Sequence, residues 1–215
     1  MEKNRVSYDY ITDFIKTVRR ERTGALGELE RQARAENFPI SEPEVSDLLE
    51  VLCMIKKPAR VLEIGTCIGF SALLIHSVVP DAEIITMERN PAMLGPAKEN
   101  FEKFGVADKI KIIEGDAVAH LPEIEPYFDL IYIDAAKGQY PIFLEQSKRL
   151  LSSGGILLCD NVLFNGMVAK GKPDRHRNKT IVVRLTEFIN NLENDGDFTT
   201  TILPAGDGVT LSVKK

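Results

Sequence analysis

Two hydrophobic rhythms divide the chain. Tyr10, Ile11, Phe14, Ile15 and Val18, and later Val45, Leu48, Leu49, Leu52 and Ile55, recur every three or four positions. That spacing places each set on one helical face. It predicts a helix over 7–20 and another ending near Lys57. A charged helix over about 22–36 lies between them, stopped before Asn37-Phe-Pro39. Ser41 followed three residues later by Glu44 reads as a capping box, with Pro43 in the first turn. From Ala59 onward the rhythm changes to short apolar runs, each bounded by turn residues and followed by a helical stretch. The runs predict strands over 60–64, 83–88, 110–113, 128–134 and 156–159. Helices are expected over 70–79, 91–104, a short stretch to Leu121, 138–151 and 178–193. Ser152-Ser-Gly-Gly155 reads as a turn and 162–177 as a long polar loop. The run 128–134 is almost unbroken, as a parallel strand buried on both faces requires. Two final strands, 198–203 and 209–213, are joined by Pro204-Ala-Gly-Asp-Gly208, so they pair antiparallel.

This alternation predicts an α/β fold: a doubly wound, mostly parallel, seven-stranded sheet with an antiparallel edge strand. Residues 1–58 form an N-terminal helical cap on the Rossmann-like core of residues 59–215, all within a single domain over 1–215. Composition narrows the function. The net charge of −5 over 215 residues gives no global basic footprint for nucleic acid, which leaves a local patch open. Three isolated cysteines, Cys53, Cys67 and Cys159, form no C-x-x-C and read as reduced core thiols of a cytoplasmic protein. No apolar stretch follows the polar first residues, so no secretory leader is expected, and no run is long enough to span a membrane.

In open α/β sheets ligands bind beyond the carboxyl ends of the strands. The first strand ends in Glu63-Ile-Gly65 and runs through a glycine turn to Gly69 and Ser71. Strand, glycine turn and helix start make a nucleotide-type site, because the backbone N–H groups of the first turn point at the ligand. The pattern is Glu-x-Gly-x-x-x-Gly and lacks a Gly-Lys-Ser/Thr ending, so a triphosphate cradle is not expected. A carboxylate there suits a ligand with cationic and hydroxyl-bearing parts, and S-adenosylmethionine fits better than a dinucleotide. Glu88 ends the second strand, 19 residues past Gly69, where a carboxylate can take both ribose hydroxyls. Asp116, after Gly115, stands where an adenine amino group is read, or caps the next helix, or both. Ser71 reaches the methionine tail or caps its own helix.

Asp134, Asp160 and Asn161 end two neighbouring strands. Two carboxylates and an amide are hard oxygen ligands suited to Mg²⁺ or a similar divalent ion; with no His or Cys in the set, zinc is not expected. The Asp-Asn pair is also good turn chemistry. Lys137, three residues after Asp134, points to the same place if the turn is helical, as a general base for a hydroxyl would.

These motifs carry a resemblance. Leu62-Glu-Ile-Gly-Thr-Cys-Ile-Gly-Phe-Ser71, Met87-Glu-Arg-Asn90, Glu114-Gly-Asp-Ala117, Tyr132-Ile-Asp-Ala-Ala-Lys137 and Cys159-Asp-Asn-Val-Leu163 resemble the successive motifs of the metal-dependent catechol and caffeoyl-CoA O-methyltransferases. The likeness runs from about Phe38 to Lys215. Ile133-Asp-Ala-Ala-Lys-Gly-Gln-Tyr140, Asp160-Asn-Val-Leu-Phe-Asn-Gly166 and Pro204-Ala-Gly-Asp-Gly208 are most similar to the bacterial tRNA 5-hydroxyuridine methyltransferases, which form 5-methoxyuridine at the wobble position. The resemblance implies an S-adenosylmethionine methyltransferase fold, a homodimer, and Asp134, Asp160 and Asn161 as metal ligands. It implies Lys137 as the catalytic lysine beside Asp134. It also implies cofactor contacts from Ile40, Ser41, Glu63, Gly65, Ser71, Glu88, Gly115, Asp116, Ala117 and Asp134, with Pro39-Ile40-Ser41 closing over the cofactor. One departure stands out: the chain has no Trp and none of the aromatic gatekeepers that clamp a free catechol ring in the animal enzymes.

A tRNA acceptor needs phosphate contacts. Residues 170–179 hold Lys170, Lys172, Arg175, Arg177 and Lys179 plus His176 against one Asp. Following the metal motif, this segment is expected to rim the active site. Arg19, Arg20, Arg22, Arg31 and Arg34 add cations to the cap. Two other readings remain: an O-methyltransferase for a small catechol-like or caffeoyl-type phenol, and a non-catalytic S-adenosylmethionine-binding regulatory protein. The intact set Asp134, Lys137, Asp160 and Asn161 speaks against the last.

Overall fold

A computed structural model of the chain describes residues 6–215. Helices α1 (Asp9–Val18), α2 (Gly24–Ala35) and α3 (Pro43–Lys56) precede β1 (Arg60–Ile64). Then follow α4 (Phe70–Val78), β2 (Glu83–Glu88), α5 (Pro91–Lys103), β3 (Ile110–Glu114) and the short α6 (Ala117–His120). The chain continues through β4 (Phe128–Ile133), α7 (Tyr140–Leu150), β5 (Leu151–Cys159) and the short α8 (Met167–Lys170). It closes with α9 (Lys179–Glu193), β6 (Phe198–Leu203) and β7 (Val209–Lys214). The seven strands form one sheet in the order β3-β2-β1-β4-β5-β7-β6. Every pairing is parallel except those of β7, which runs antiparallel to both β5 and β6. Among the described residues no helix is long and apolar enough to cross a membrane.

Alternate residues of the central strands feed two cores. Val61, Ile84, Leu130, Tyr132 and Leu158 pack with Leu49, Cys53, Leu73 and Phe101 on one face. Leu62, Ile64, Ile85, Ile131, Ile133 and Leu157 pack with Phe143, Leu144, Leu185 and Phe188 on the other. This period-two division, with helices on both faces, is what near-continuous apolar strands produce.

Four expectations need correction. Glu42, not Ser41, precedes the first turn of α3, and no side-chain bond caps that helix. Ser41 Oγ instead pairs with Ser46 Oγ at 2.9 Å inside the protein, so the capping-box pattern is used for burial. Ile55 lies on the outer face of α3 and is 73% exposed, because the inner face is filled by Val45, Leu49, Leu52 and Cys53. Residues 152–155 do not turn into β5; they lie within it, where its register against β4 shifts between Phe128 and Leu130. The loop 162–177 contains α8 and begins the 3-10 turn His176–Asn178. Helix α1 forms as expected, yet buries no residue: Tyr10, Phe14 and Val18 stay exposed.

Candidate active site

Backbone bonds extend the sheet past its strand ends and align the functional residues in a row. Gly65 N–H donates to Met87 O at 3.0 Å, Gly115 N–H to Glu88 O at 2.8 Å, Asp134 N–H to Ile64 O at 2.9 Å and Asp160 N–H to Ile133 O at 2.8 Å. The row spans the point where the strand order reverses, between β1 and β4. Above it opens a cavity of about 1230 Å³. Ile40, Ser41, Gly65, Ser71, Glu88, Gly115, Asp116, Ala117, Asp134, Lys137 and Asn161 all line it.

The glycine turn is fixed by crowding. Gly65 has φ +108°, and a Cβ there would stand 2.0 Å from the Asp134 carbonyl oxygen. Gly69, at φ +84°, would drive a Cβ to 2.5 Å from the Phe101 ring. Only glycine satisfies both conditions. Glu88 anchors the turn: its Oε2 accepts from Cys67 N–H at 2.8 Å and its Oε1 from Asn90 N–H at 2.7 Å. Asp116 has both expected roles open to it. It caps α6 by accepting from Val118 N–H at 3.0 Å, and it lines the cavity. That N–H bond holds its carboxyl below the ordinary range, with Gln139 and Arg89 helping. Gln139, whose amide reaches Asp116 Oδ2 at 3.1 Å, was not foreseen from the sequence; a lone glutamine in a turn carries no pattern.

Glu63 sits lower than expected. It is fully buried and does not line the cavity, because it lies on the inner face of β1 beside Thr86, whose hydroxyl donates to it. Burial pushes its carboxyl up to about 7, against the opposing hydroxyls of Ser71 and Thr86.

At the ends of β4 and β5, Asp134, Asp160 and Asn161 converge with Lys137. Lys137 Nζ donates to Asn161 Oδ1 at 2.8 Å. Asp160 is 1% exposed; its Oδ1 accepts from Asn161 N–H at 2.6 Å, and among the described residues its Oδ2 has no hydrogen-bond partner. Burial pushes both aspartic carboxyls up; the charge of Asp134 raises Asp160 further, while Lys137 opposes both shifts. A buried carboxylate left without a partner is costly. A divalent cation taking oxygen from all three side chains would answer that cost, so the residues fit such an ion. Among the described residues no group of three His, Cys, Asp or Glu side chains forms a metal cluster; this set has two carboxylates and an amide. Tyr140 supports it from below, its hydroxyl donating to Asp160 O at 2.6 Å. Asn161 adopts φ +60°, which Asn tolerates.

The cationic segment lies elsewhere. Lys170, Lys172, Arg175, Arg177 and Lys179 are exposed, and none lines the cavity; Asn165 is the last residue of that stretch to do so. Of Arg19, Arg20, Arg22, Arg31 and Arg34 in the cap, four are committed, while Arg20 is exposed. Arg19 grips Asp47 through Nε at 2.6 Å, Arg22 reaches Asp47 at 2.7 Å and Glu50 at 2.7 Å, and Arg34 reaches Glu30 at 3.1 Å. Arg31 pairs with Glu28. Arg19 and Arg22, which also reach Glu30, tie α2 to α3. Asp207, Asn165, Thr12 and Lys16 also line the cavity and were not singled out. Asp207 and its glycines read as hairpin chemistry, and Thr12 and Lys16 as the polar face of a helix.

Comparison with known proteins agrees with this fold. Residues 20–215 match the O-methyltransferase family profile. A caffeoyl-CoA O-methyltransferase of Populus kitakamiensis is 32% identical over 171 residues, covering 76% of this chain and 73% of the relative. A catechol O-methyltransferase of Mycobacterium tuberculosis is 33% identical over 128 residues, covering 57% and 58% of the two chains. The crystal structure of an S-adenosylhomocysteine-bound methyltransferase from Podospora anserina superposes with a TM-score of 0.86 at 31% identity, covering 100% of this chain and 98% of that one. The chain therefore belongs to the O-methyltransferase family and is an S-adenosylmethionine-dependent O-methyltransferase.

Proposed function

We propose that the enzyme methylates one oxygen of an acceptor bearing two adjacent oxygens, with a divalent cation such as Mg²⁺, and that this acceptor is 5-hydroxyuridine at the tRNA wobble position. The observation that carries the first part is the convergence of Asp134, Asn161 and Lys137 on one side of the cavity, with the buried Asp160 next to them but not lining it. Glu88 receives the ribose hydroxyls, Asp116 reads the adenine edge, and the segment Ile40-Ser41 closes the cofactor side. When bound, S-adenosylmethionine supplies an electrophilic methyl group. Asp134, Asp160 and Asn161 would hold the cation, whose charge acidifies a neighbouring hydroxyl. Lys137 takes the hydroxyl proton at Nζ, and the remaining residues orient the two reactants.

In 5-hydroxyuracil the 5-hydroxyl stands beside the 4-carbonyl, as the two oxygens of a catechol do. The motif likeness and the exposed cations of 170–179 support the RNA acceptor. A small phenol is the second reading, supported by the names of the curated relatives, caffeoyl-CoA and catechol O-methyltransferases. A cytoplasmic homodimer belongs to the same proposal; exposed apolar side chains on α1 and α3 support the dimer, and sedimentation checks it. The deciding experiment is mass spectrometry of tRNA nucleosides from a deletion strain. Loss of 5-methoxyuridine with accumulation of 5-hydroxyuridine is expected. An unchanged nucleoside profile overturns the RNA acceptor in favour of a phenol.

A further inference from the structure

A carboxylate on the β6–β7 turn shares the cavity wall with Lys137, Asn161 and Asn165 and has no part in the reaction above: Asp207. The turn that carries it cannot drift. Leu163 N–H donates to Asp207 O at 3.0 Å and Val162 N–H to Gly208 O at 2.9 Å, bonding the turn to the segment just after Asn161. Gly208, at φ +83°, would bring a Cβ to 2.4 Å from Leu163; Gly206, at φ +54°, would bring one to 2.9 Å from Val45. The turn is thus wedged between α3 and the segment that bears the cation-binding amide. Asp207 Oδ1 accepts from the Asn165 N–H, which leaves Oδ2 as the remaining acceptor at the cavity wall. Burial pushes the carboxyl up to about 6, opposed by the Asn165 N–H and by the charge of Lys137; it is ionised at neutral pH.

We propose that Asp207 selects the acceptor, by accepting a hydrogen bond from a ring N–H that neighbours the chelating carbonyl. The inference rests on the reading of the acceptor as 5-hydroxyuridine. In that ring N3–H follows the 4-carbonyl; with the 5-hydroxyl at Lys137, the 4-carbonyl and N3–H would lie on the side of the cavity wall formed by Asn165 and Asp207. A catechol presents a C–H at the same place, which gives a carboxylate nothing to accept. A bond from a neutral N–H to an ionised acceptor is among the stronger ones available to a site, and a half-buried carboxylate covered by a C–H loses part of its hydration without compensation. Asp207 therefore favours a pyrimidine over a phenol by adding a bond to one and a penalty to the other.

Two short anticodon stem-loop RNAs test this, one with 5-hydroxyuridine and one with N3-methyl-5-hydroxyuridine, each assayed with the wild type and Asp207→Asn. Asparagine keeps an oxygen for the Asn165 N–H but puts an amide donor where Oδ2 stood. In the wild type, N3 methylation is expected to lower kcat/KM by about 10- to 100-fold. Asp207→Asn should lose a similar factor on the unmethylated RNA, and N3 methylation should then cost the variant little more. Losses that multiply, with N3 methylation equally harmful in both proteins, overturn the assignment; so does a folding defect, which falls on both RNAs alike. If the wild type fails to methylate the 5-hydroxyuridine stem-loop at all, the acceptor reading is itself wrong and this inference falls with it.

Discussion

Lys137 Nζ donates a 2.8 Å hydrogen bond to Oδ1 of Asn161, so the proposed base and the amide oxygen of the proposed ligand set meet across two different β-α loops. The 3-10 turn Lys137–Gln139 after β4 supplies one and the left-handed Asn161 after β5 the other. A base held at this point serves a hydroxyl placed between them. Lys137→Ala is expected to lower kcat by about 10²- to 10⁴-fold, with cofactor affinity measured by calorimetry largely kept. Lys137→Arg can restore the bond to Asn161 without restoring a base, so it should stay as slow as the alanine variant. Wild-type turnover in either variant would leave Lys137 a bystander.

Asp160 carries an oxygen without a protein partner and shares buried space with the charge of Asp134. Asp160→Asn removes that charge while keeping an oxygen for the Asn161 N–H. The metal-free variant should therefore be more stable than the wild type, by about 1–3 kcal/mol, and inactive. Chelator should silence the wild type, and Mg²⁺ should restore it. Denaturant unfolding and a methyl-transfer assay check both halves; full activity in excess chelator would sink the cation.

Glu88 anchors the turn and lines the cavity. Because both its oxygens already accept backbone N–H groups, Glu88→Ala loosens the glycine turn in addition to deleting the proposed ribose partner. S-adenosylmethionine affinity should fall by about 1.5–3 kcal/mol. Unchanged affinity in calorimetry refutes the ribose assignment.

Much of this was readable because local rules and tertiary demands agree. The glycine turn, the unbroken β4 run and the strand-end acids Glu88, Asp134 and Asp160 stand where a doubly wound sheet puts them. Patterning failed where a residue answers to a distant partner. Ser41 looked like a cap and is buried against Ser46. Arg19, Arg22 and Arg34 read as free cations of the cap and are committed to Asp47, Glu50 and Glu30. Asp207 looked like a turn residue and lines the cavity, because its hairpin folds back onto the segment after Asn161. Spacing along one chain cannot report such returns.

Glu63 makes stability depend on pH. Its folded-state value of about 7 exceeds the ordinary 4.5, so the folded protein binds the proton more tightly than the unfolded chain does. The contribution is complete below about pH 4.5, declines as pH rises towards 7 and is gone above it, a loss of about 3 kcal/mol at most. Glu63→Gln should flatten that part of the stability curve for the cofactor-free protein. Equal slopes for the two proteins between pH 4.5 and 7 would show that Glu63 does not titrate there.

Since four cap arginines, Arg19, Arg22, Arg31 and Arg34, are paired, the exposed segment 170–179 is the first place to seek phosphate binding. Lys172, Arg175 and Arg177 are exposed and do not line the cavity, so neutralising all three removes charge and leaves the chemistry in place. Turnover of tRNA carrying 5-hydroxyuridine should fall, chiefly through KM. The salt dependence of binding should become shallower by a slope of about 0.7–0.9 for each phosphate that the variant no longer neutralises. Turnover of a small catechol should change far less, because that acceptor reaches Asp134 and Lys137 without meeting the segment. Equal losses on both acceptors would locate the defect in folding. An unaltered salt slope on tRNA would remove the segment from RNA binding, and a phenol would become the better-supported acceptor.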